Sequence, residues 1–354
     1  MSTMNLTRRQ LFAAGLGLGG AFALAACSPA SSDPAPSAEP EDVTVRVASL
    51  KGPTTIGLVS MMDQTSGIPE ADSSQDDEKS DSSAGDGVSY QYAISASPDE
   101  VLPQVISGSV DIALVPSNAA AVLYNKTKGG VQTIDVNTLG VLSVVTGDAS
   151  VTDFEALAGK TVYVSGKGAS PEYTLNYLLG KAGISDKVSV EWKSEHEEVA
   201  AVLANDANAV GILPEPFATA TIAKNPVVSS VVSLTDVWKR YVDDGSQFVM
   251  GVTVVRSDFA KDHPEVVRDF LQRHAASVDA VNDDPEAAAK LVVKAGIVAK
   301  EPIAKKAIPG CNVVCLTGTQ MKDALEGYLQ VLFDADPTSV GGYMPADDFY
   351  YLGE

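Results

Sequence analysis

The chain has 354 residues, 45% of them apolar, with 46 acidic against 25 basic residues and a formal charge of −21. That excess of negative charge argues against binding nucleic acid or lying along an anionic membrane surface. With only three cysteines the chain is no small disulfide scaffold, and its length suffices for two lobes with sizeable cores.

Residues 1–26 have the three-part form of an export signal: Arg8 and Arg9, an apolar run from Leu11 to Ala26, then small residues before Cys27. The run is too short and glycine-rich for a membrane span. Leu24-Ala25-Ala26-Cys27 resembles a bacterial lipobox, in which the Cys27 thiol is lipidated and the mature chain begins. Thr7-Arg8-Arg9-Gln10-Leu11-Phe12 resembles a twin-arginine motif, but ordinary Sec signals also carry paired arginines, so both export routes stay open. The GxGxxG string from Gly15 to Gly20 lies inside this signal and follows no strand, so it is no nucleotide site. Residues 27–42, rich in Pro, Ser and acid, read as a flexible tether.

Val43 to Leu50 alternates as a first strand, and Lys51-Gly52-Pro53-Thr54-Thr55 opens a helix running to about Gln64. Residues 66–87 shift to Ser, Asp, Glu and Gly without apolar periodicity, which reads as a mobile surface insertion with no role in binding. Tyr90 to Ala96 is the next strand, Ser97-Pro98-Asp99-Glu100 starts a helix, and Gly108 ends it. Val110 to Val115 reads as a buried strand leading through Pro116-Ser117-Asn118 into another helix. Val131 to Val136 adds a strand, and Asn137-Thr138-Leu139-Gly140 leads into a further apolar run.

Lys160 to Gly183 then reads as strand, glycine loop and helix, with Gly166 and Gly168 freeing the turn, Ser170 as N-cap and Pro171 in the first turn. Such a junction aims backbone N–H groups and the positive end of a helix dipole at one spot, which suits a polar or anionic group. Strands at Val188–Trp192, Val210–Leu213, Val227–Leu234 and Phe248–Val255 follow, with helices from Glu195, after Pro214-Glu215-Pro216, and over Pro264–Val281, Pro285–Ala295 and Gln320–Phe333. Alternating strands and helices predict α/β layers with parallel sheets, whose ligands sit at the carboxyl ends of the strands.

The segments LKGPTTIG, SGSVDIALVPSNAAAVLYNKT, NTLGVL, LAGKTVYVSGKGASPEYTLNYLL, GILPEPF, MGVTVVRSDF and AIPGCNVV together resemble the substrate-binding lipoproteins of ABC transporters. The branch they are most similar to is the nitrate, taurine, sulfonate and thiamine-precursor group. The resemblance implies a two-lobe, periplasmic-binding-protein-like (type II) α/β fold with two hinge-crossing strands, at Leu139–Val145 and Phe248–Val254. One lobe would comprise residues 43–139 and 249–354, the other residues 140–248. It further implies an exported, lipid-anchored, monomeric binding protein that uses no cofactor or metal, performs no chemistry, and delivers a small-molecule ligand to ABC permease and ATPase subunits. The family's pocket positions fall on Lys51, Gly52, Pro53, Thr54, Thr55, Pro116, Ser117, Asn118, Thr138, Gly166, Gly168, Ala169, Ser170 and Glu215. A negative Glu215 would repel a simple anion unless Lys51 or Lys167 offsets it. A surface sensor or adhesin on the same fold, and an exported enzyme, are the alternatives.

Other candidates read as structural. His196 sits in Glu195-His196-Glu197-Glu198, which lacks HExxH spacing and reads as the solvated start of a helix. His263 and His274 fall in a charged helix and read as surface residues, Lys167 as solvated, and Trp192 and Trp238 as core or rim. Cys311 and Cys315 read as free thiols if the segment is extended, whereas a sharp turn would permit a bridge.

Overall fold

The computed structural model describes residues 43–69 and 87–353, so the signal, Cys27, the tether and nearly all of the acidic segment lie outside the described residues. Among the described residues no helix is long and apolar enough to cross a membrane. The chain builds β1 (Val43–Leu50), α1 (Pro53–Ile56), α2 (Val59–Gln64), β2 (Val88–Ser95), α3 (Pro98–Ser107), β3 (Ile112–Pro116), α4 (Ser117–Thr127) and β4 (Val131–Leu139). It then passes through β5 (Leu142–Thr146), β6 (Thr161–Ser165), α5 (Ser170–Lys181), β7 (Ser189–Lys193), α6 (His196–Asn205), β8 (Val210–Pro214), α7 (Phe217–Lys224), β9 (Ser229–Ser233) and α8 (Leu234–Tyr241). Last come β10 (Val249–Arg256), α9 (Ser257–Asp262), α10 (Pro264–Asp283), α11 (Pro285–Lys294), α12 (Glu301–Ala307), β11 (Val313–Leu316) and α13 (Gly318–Ala335).

Two sheets result, one of six strands in the order β11-β4-β10-β3-β1-β2 and one of five in the order β7-β6-β8-β5-β9. The register makes β1, β2, β3 and β4 parallel, with β10 and β11 antiparallel to them. In the second sheet β6, β7, β8 and β9 run parallel and β5 opposes them. Only Gly140 and Val141 separate β4 of the first sheet from β5 of the second. The edge carrying the carboxyl ends of β1 to β4 therefore adjoins the edge carrying those of β6 to β8, which is the two-lobed α/β architecture expected from the sequence.

The first crossing is tightly tied. The Gly140 carbonyl accepts from Asn312 Nδ2 at 2.6 Å and from Thr235 Oγ1 at 2.8 Å. A Cβ at Gly140 would overlap the Phe248 ring and Thr235 Oγ1, so only glycine fits where the chain passes between the lobes. The return path differs from expectation. β10 pairs only with β3 and β4 of the first sheet, so the crossing lies in the segment before it rather than at Phe248–Val254. Behind this hinge Trp238, Phe248 and Tyr328 are fully buried in mutual ring contact, and Trp238 Nε1 donates to the Ser246 carbonyl.

Three local expectations shift. The helix expected from Pro53 to Gln64 breaks at Gly57-Leu58 into α1 and α2. Helix α5 begins one residue early, with Ala169 as N-cap and Ser170 as the first helical residue. His274, expected at the surface, is completely buried. It lies on the α10 stripe of Val266, Val267, Phe270, Val278 and Val281, whose helical spacing overrides the charge on the opposite face.

Candidate functional site

The facing edges collect most of the positions singled out in the sequence. On the first lobe, Lys51 is exposed just past β1, Gly52 and Pro53 are half-buried, and Pro53 starts α1. Thr54 Cγ2 and the Thr138 Cβ both lie against Gly251 of β10, so these two threonines meet at one strand end. The buried Thr55 donates to the Leu50 carbonyl at 2.5 Å. Pro116 closes β3, Ser117 Oγ donates to the Val249 carbonyl at 2.7 Å, and Asn118 Nδ2 reaches the Ser339 carbonyl at 3.4 Å. Thr138 Oγ1 donates to Asn137 Oδ1 at 2.9 Å, whose amide in turn donates to Thr253 Oγ1. Several of these hydroxyls thus hold the strand ends in place, a use that hides their protons from a ligand.

On the second lobe, Gly166 and Gly168 take positive φ, and the Gly168 N–H donates to Glu172 Oε2 at 2.6 Å, curling the loop over the start of α5. Ala169 precedes a buried Ser170 whose hydroxyl does not cap the helix. Lys167 is exposed, as expected. Glu215 directly follows β8 and reaches the other lobe: a Cβ at Gly310 would lie 3.0 Å from Glu215 Cγ. Its carboxylate accepts from the Thr219 N–H at 3.2 Å and Thr219 Oγ1 at 3.0 Å, yet burial outweighs those bonds and raises its pKa above 4.5.

Sequence reasoning missed a cluster here. His196 begins α6 as expected, and Glu195 and Glu198 form its capping box. Its ring, however, is half-buried, with Nδ1 in a 2.5 Å hydrogen bond to Ser165 Oγ and its centroid 5.0 Å from that of Phe217. Burial lowers its pKa, against the opposing pull of Glu197 and Glu195. Ser165, His196 and Phe217 stand at the ends of β6, β7 and β8, so one hydroxyl, one imidazole and one aromatic face share the edge with Glu215. The signal was available: each follows a predicted strand directly, where α/β sheets place ligand contacts. Cys311 and Cys315 are free thiols, although the segment is only partly extended: Cys311 ends a 3-10 turn and Asn312 is left-handed before β11.

A comparison with solved structures finds this fold repeatedly. An ABC transporter protein from Parabacteroides distasonis aligns with a TM-score of 0.71 at 22% identity, covering 88% of this chain and 99% of its own. The periplasmic aliphatic sulphonate binding protein SsuA from Escherichia coli aligns at 0.64 with 11% identity, covering 87% and 94%. A putative sulfonate-binding SsuA from Methylobacillus flagellatus aligns at 0.57 with 16% identity, covering 87% and 91%. At these identities the likeness establishes the two-lobed binding-protein fold. Curated proteins give no match. The family model described as "Menaquinone biosynthesis" matches residues 92–307, more than half of the chain, and it is to this family, on a periplasmic-binding-protein-like scaffold, that the chain belongs.

Proposed function

We propose that the protein is the extracytoplasmic solute-binding component of an ABC importer, holding a small polar organic ligand between residues 43–139 with 249–354 on one side and 140–248 on the other. The observation that supports this best is topological. Two sets of parallel strand ends, each furnished with small polar residues, adjoin across a two-residue crossing. The solved proteins that share the fold are named for transport and sulfonate binding, which points the same way. The ligand-facing set is the one gathered at those edges, from Lys51 to Thr55, Pro116 to Asn118, Thr138, Gly166 to Ser170 and Glu215, now with Ser165, His196 and Phe217. The protein works as a monomer with ABC permease and ATPase partners, exported by the Sec or twin-arginine route and held by lipid on Cys27.

The test is mass spectrometry of whatever co-purifies, followed by a melting-shift titration with that compound. Ligand at about 100 times its dissociation constant adds roughly 2.7 kcal/mol of stability. Gly168→Val, which forces a β-branched residue into the left-handed backbone of the loop at φ 76°, should abolish most of the shift. A full shift in that variant would remove the loop from the site.

A second reading, an exported enzyme, is favoured by one contact and one name: the Ser165–His196 hydrogen bond offers a base beside a hydroxyl, and the family is named for a biosynthesis. Incubating the protein with the co-purified compound separates the two, since a binding protein returns it unchanged.

A further inference from the structure

On the face of the first sheet covered by α10, a carboxylate, an imidazole and a thiol converge. One ligand atom each from Asp135 on β4, His274 on α10 and Cys315 on β11 lie within 4.8 Å of one another. His274 Nδ1 is 3.1 Å from Asp135 Oδ2, and both side chains are completely buried. Two ligands of a tetrahedral zinc ion, with bonds of about 2.0–2.1 Å, stand roughly 3.3 Å apart, and a thiolate at about 2.3 Å a little farther. The Asp135–His274 separation matches two corners of such a site, and the Cys315 sulfur, within 4.8 Å of both, is near enough to supply a third.

Charge and hydrogen bonding point the same way. Asp135 Oδ1 accepts from Thr253 Oγ1 at 2.8 Å, and among the described residues the only ion-pair partner recorded for Asp135 is His274. The buried His274 Nε2 has no hydrogen-bond partner. Asp279 adds negative charge close to Cys315. The cluster is thus acidic and largely buried.

We propose that Asp135, His274 and Cys315 bind one divalent metal ion of borderline softness, zinc being the best match to a mixed oxygen, nitrogen and sulfur donor set. The ion takes the place of the thiol proton, which is released to solvent, and one carboxylate, one thiolate and a neutral imidazole balance its charge. A water completes the coordination. Bound there, the ion pins the short edge strand β11 to β4 and α10 and so stabilises the lobe that contains them.

The test uses the tag-free full chain, stripped of metal and then titrated with zinc or cobalt(II). One equivalent of zinc should remain after dialysis and raise the melting temperature, and cobalt(II) should give a thiolate-to-metal charge-transfer band. Cys315→Ser should remove that band and weaken binding by at least about tenfold, a loss that even outer partners of metal ligands commonly cause. Cys27→Ser and Cys311→Ser should leave the band in place. His274→Gln, checked for an intact fold by its melting curve, should lose the zinc-induced shift. Less than a fifth of an equivalent bound to the wild type, or a band that survives Cys315→Ser, overturns the proposal without reference to whether any variant folds.

Discussion

Glu215 carries its carboxylate into a place where water is scarce, between the end of β8 and Gly310 of the facing lobe. Because burial raises its pKa above 4.5, the folded protein holds this proton more tightly than the unfolded chain does. Its contribution to stability is therefore fully present below that value and is lost as pH rises through the raised one. Gln at this position keeps an acceptor for Thr219 and never ionises. The difference in melting temperature between Glu215→Gln and wild type should be near zero at about pH 4 and widen in favour of the variant toward about pH 8. A difference that stays flat with pH would show that the carboxylate is well solvated. Sequence placed Glu215 at a strand end but gave no access to its neighbour Gly310, which lies far along the chain and arrives through the fold.

At the scale of elements, α13 matters beyond its own lobe. It packs on β4 and β10 of the first sheet and on α5 of the second lobe, where Tyr328 OH meets Thr174 Oγ1 at 3.1 Å. Tyr328→Phe leaves the buried Thr174 hydroxyl short of a partner at about 1–3 kcal/mol, and the melting temperature should fall by several degrees. An unchanged melting curve would mean that water fills the role. Most elements were legible because strand and helix periods alternate cleanly and Gly108 and Gly183 end helices with positive φ. What escaped was short or ambiguous. LTDVWKRY of α8 begins on the apolar run that reads as a strand, and four-residue β11 owes its conformation to pairing with β4 rather than to propensity. At the site, strand-end turn residues showed where to look. That Thr55, Ser117 and Thr138 already spend their hydroxyls on the backbone or on Asn137 was invisible, since those partners are set by tertiary packing.

For the whole molecule, the proposed lipid anchor makes a prediction independent of the fold: Cys27→Ala should move the protein from the membrane to the soluble fraction, and unchanged retention on fractionation would refute lipidation. The order of strands has another consequence. β10 lies between β4 and β3, both of which precede it by the whole second lobe, and the Tyr351 N–H donates to the Thr133 carbonyl at 2.9 Å on the same sheet. The central strand β10, the edge strand β11 and the closing residues of the first lobe all follow the second lobe in the chain, so the first sheet is assembled from contacts far apart in sequence, which slows folding.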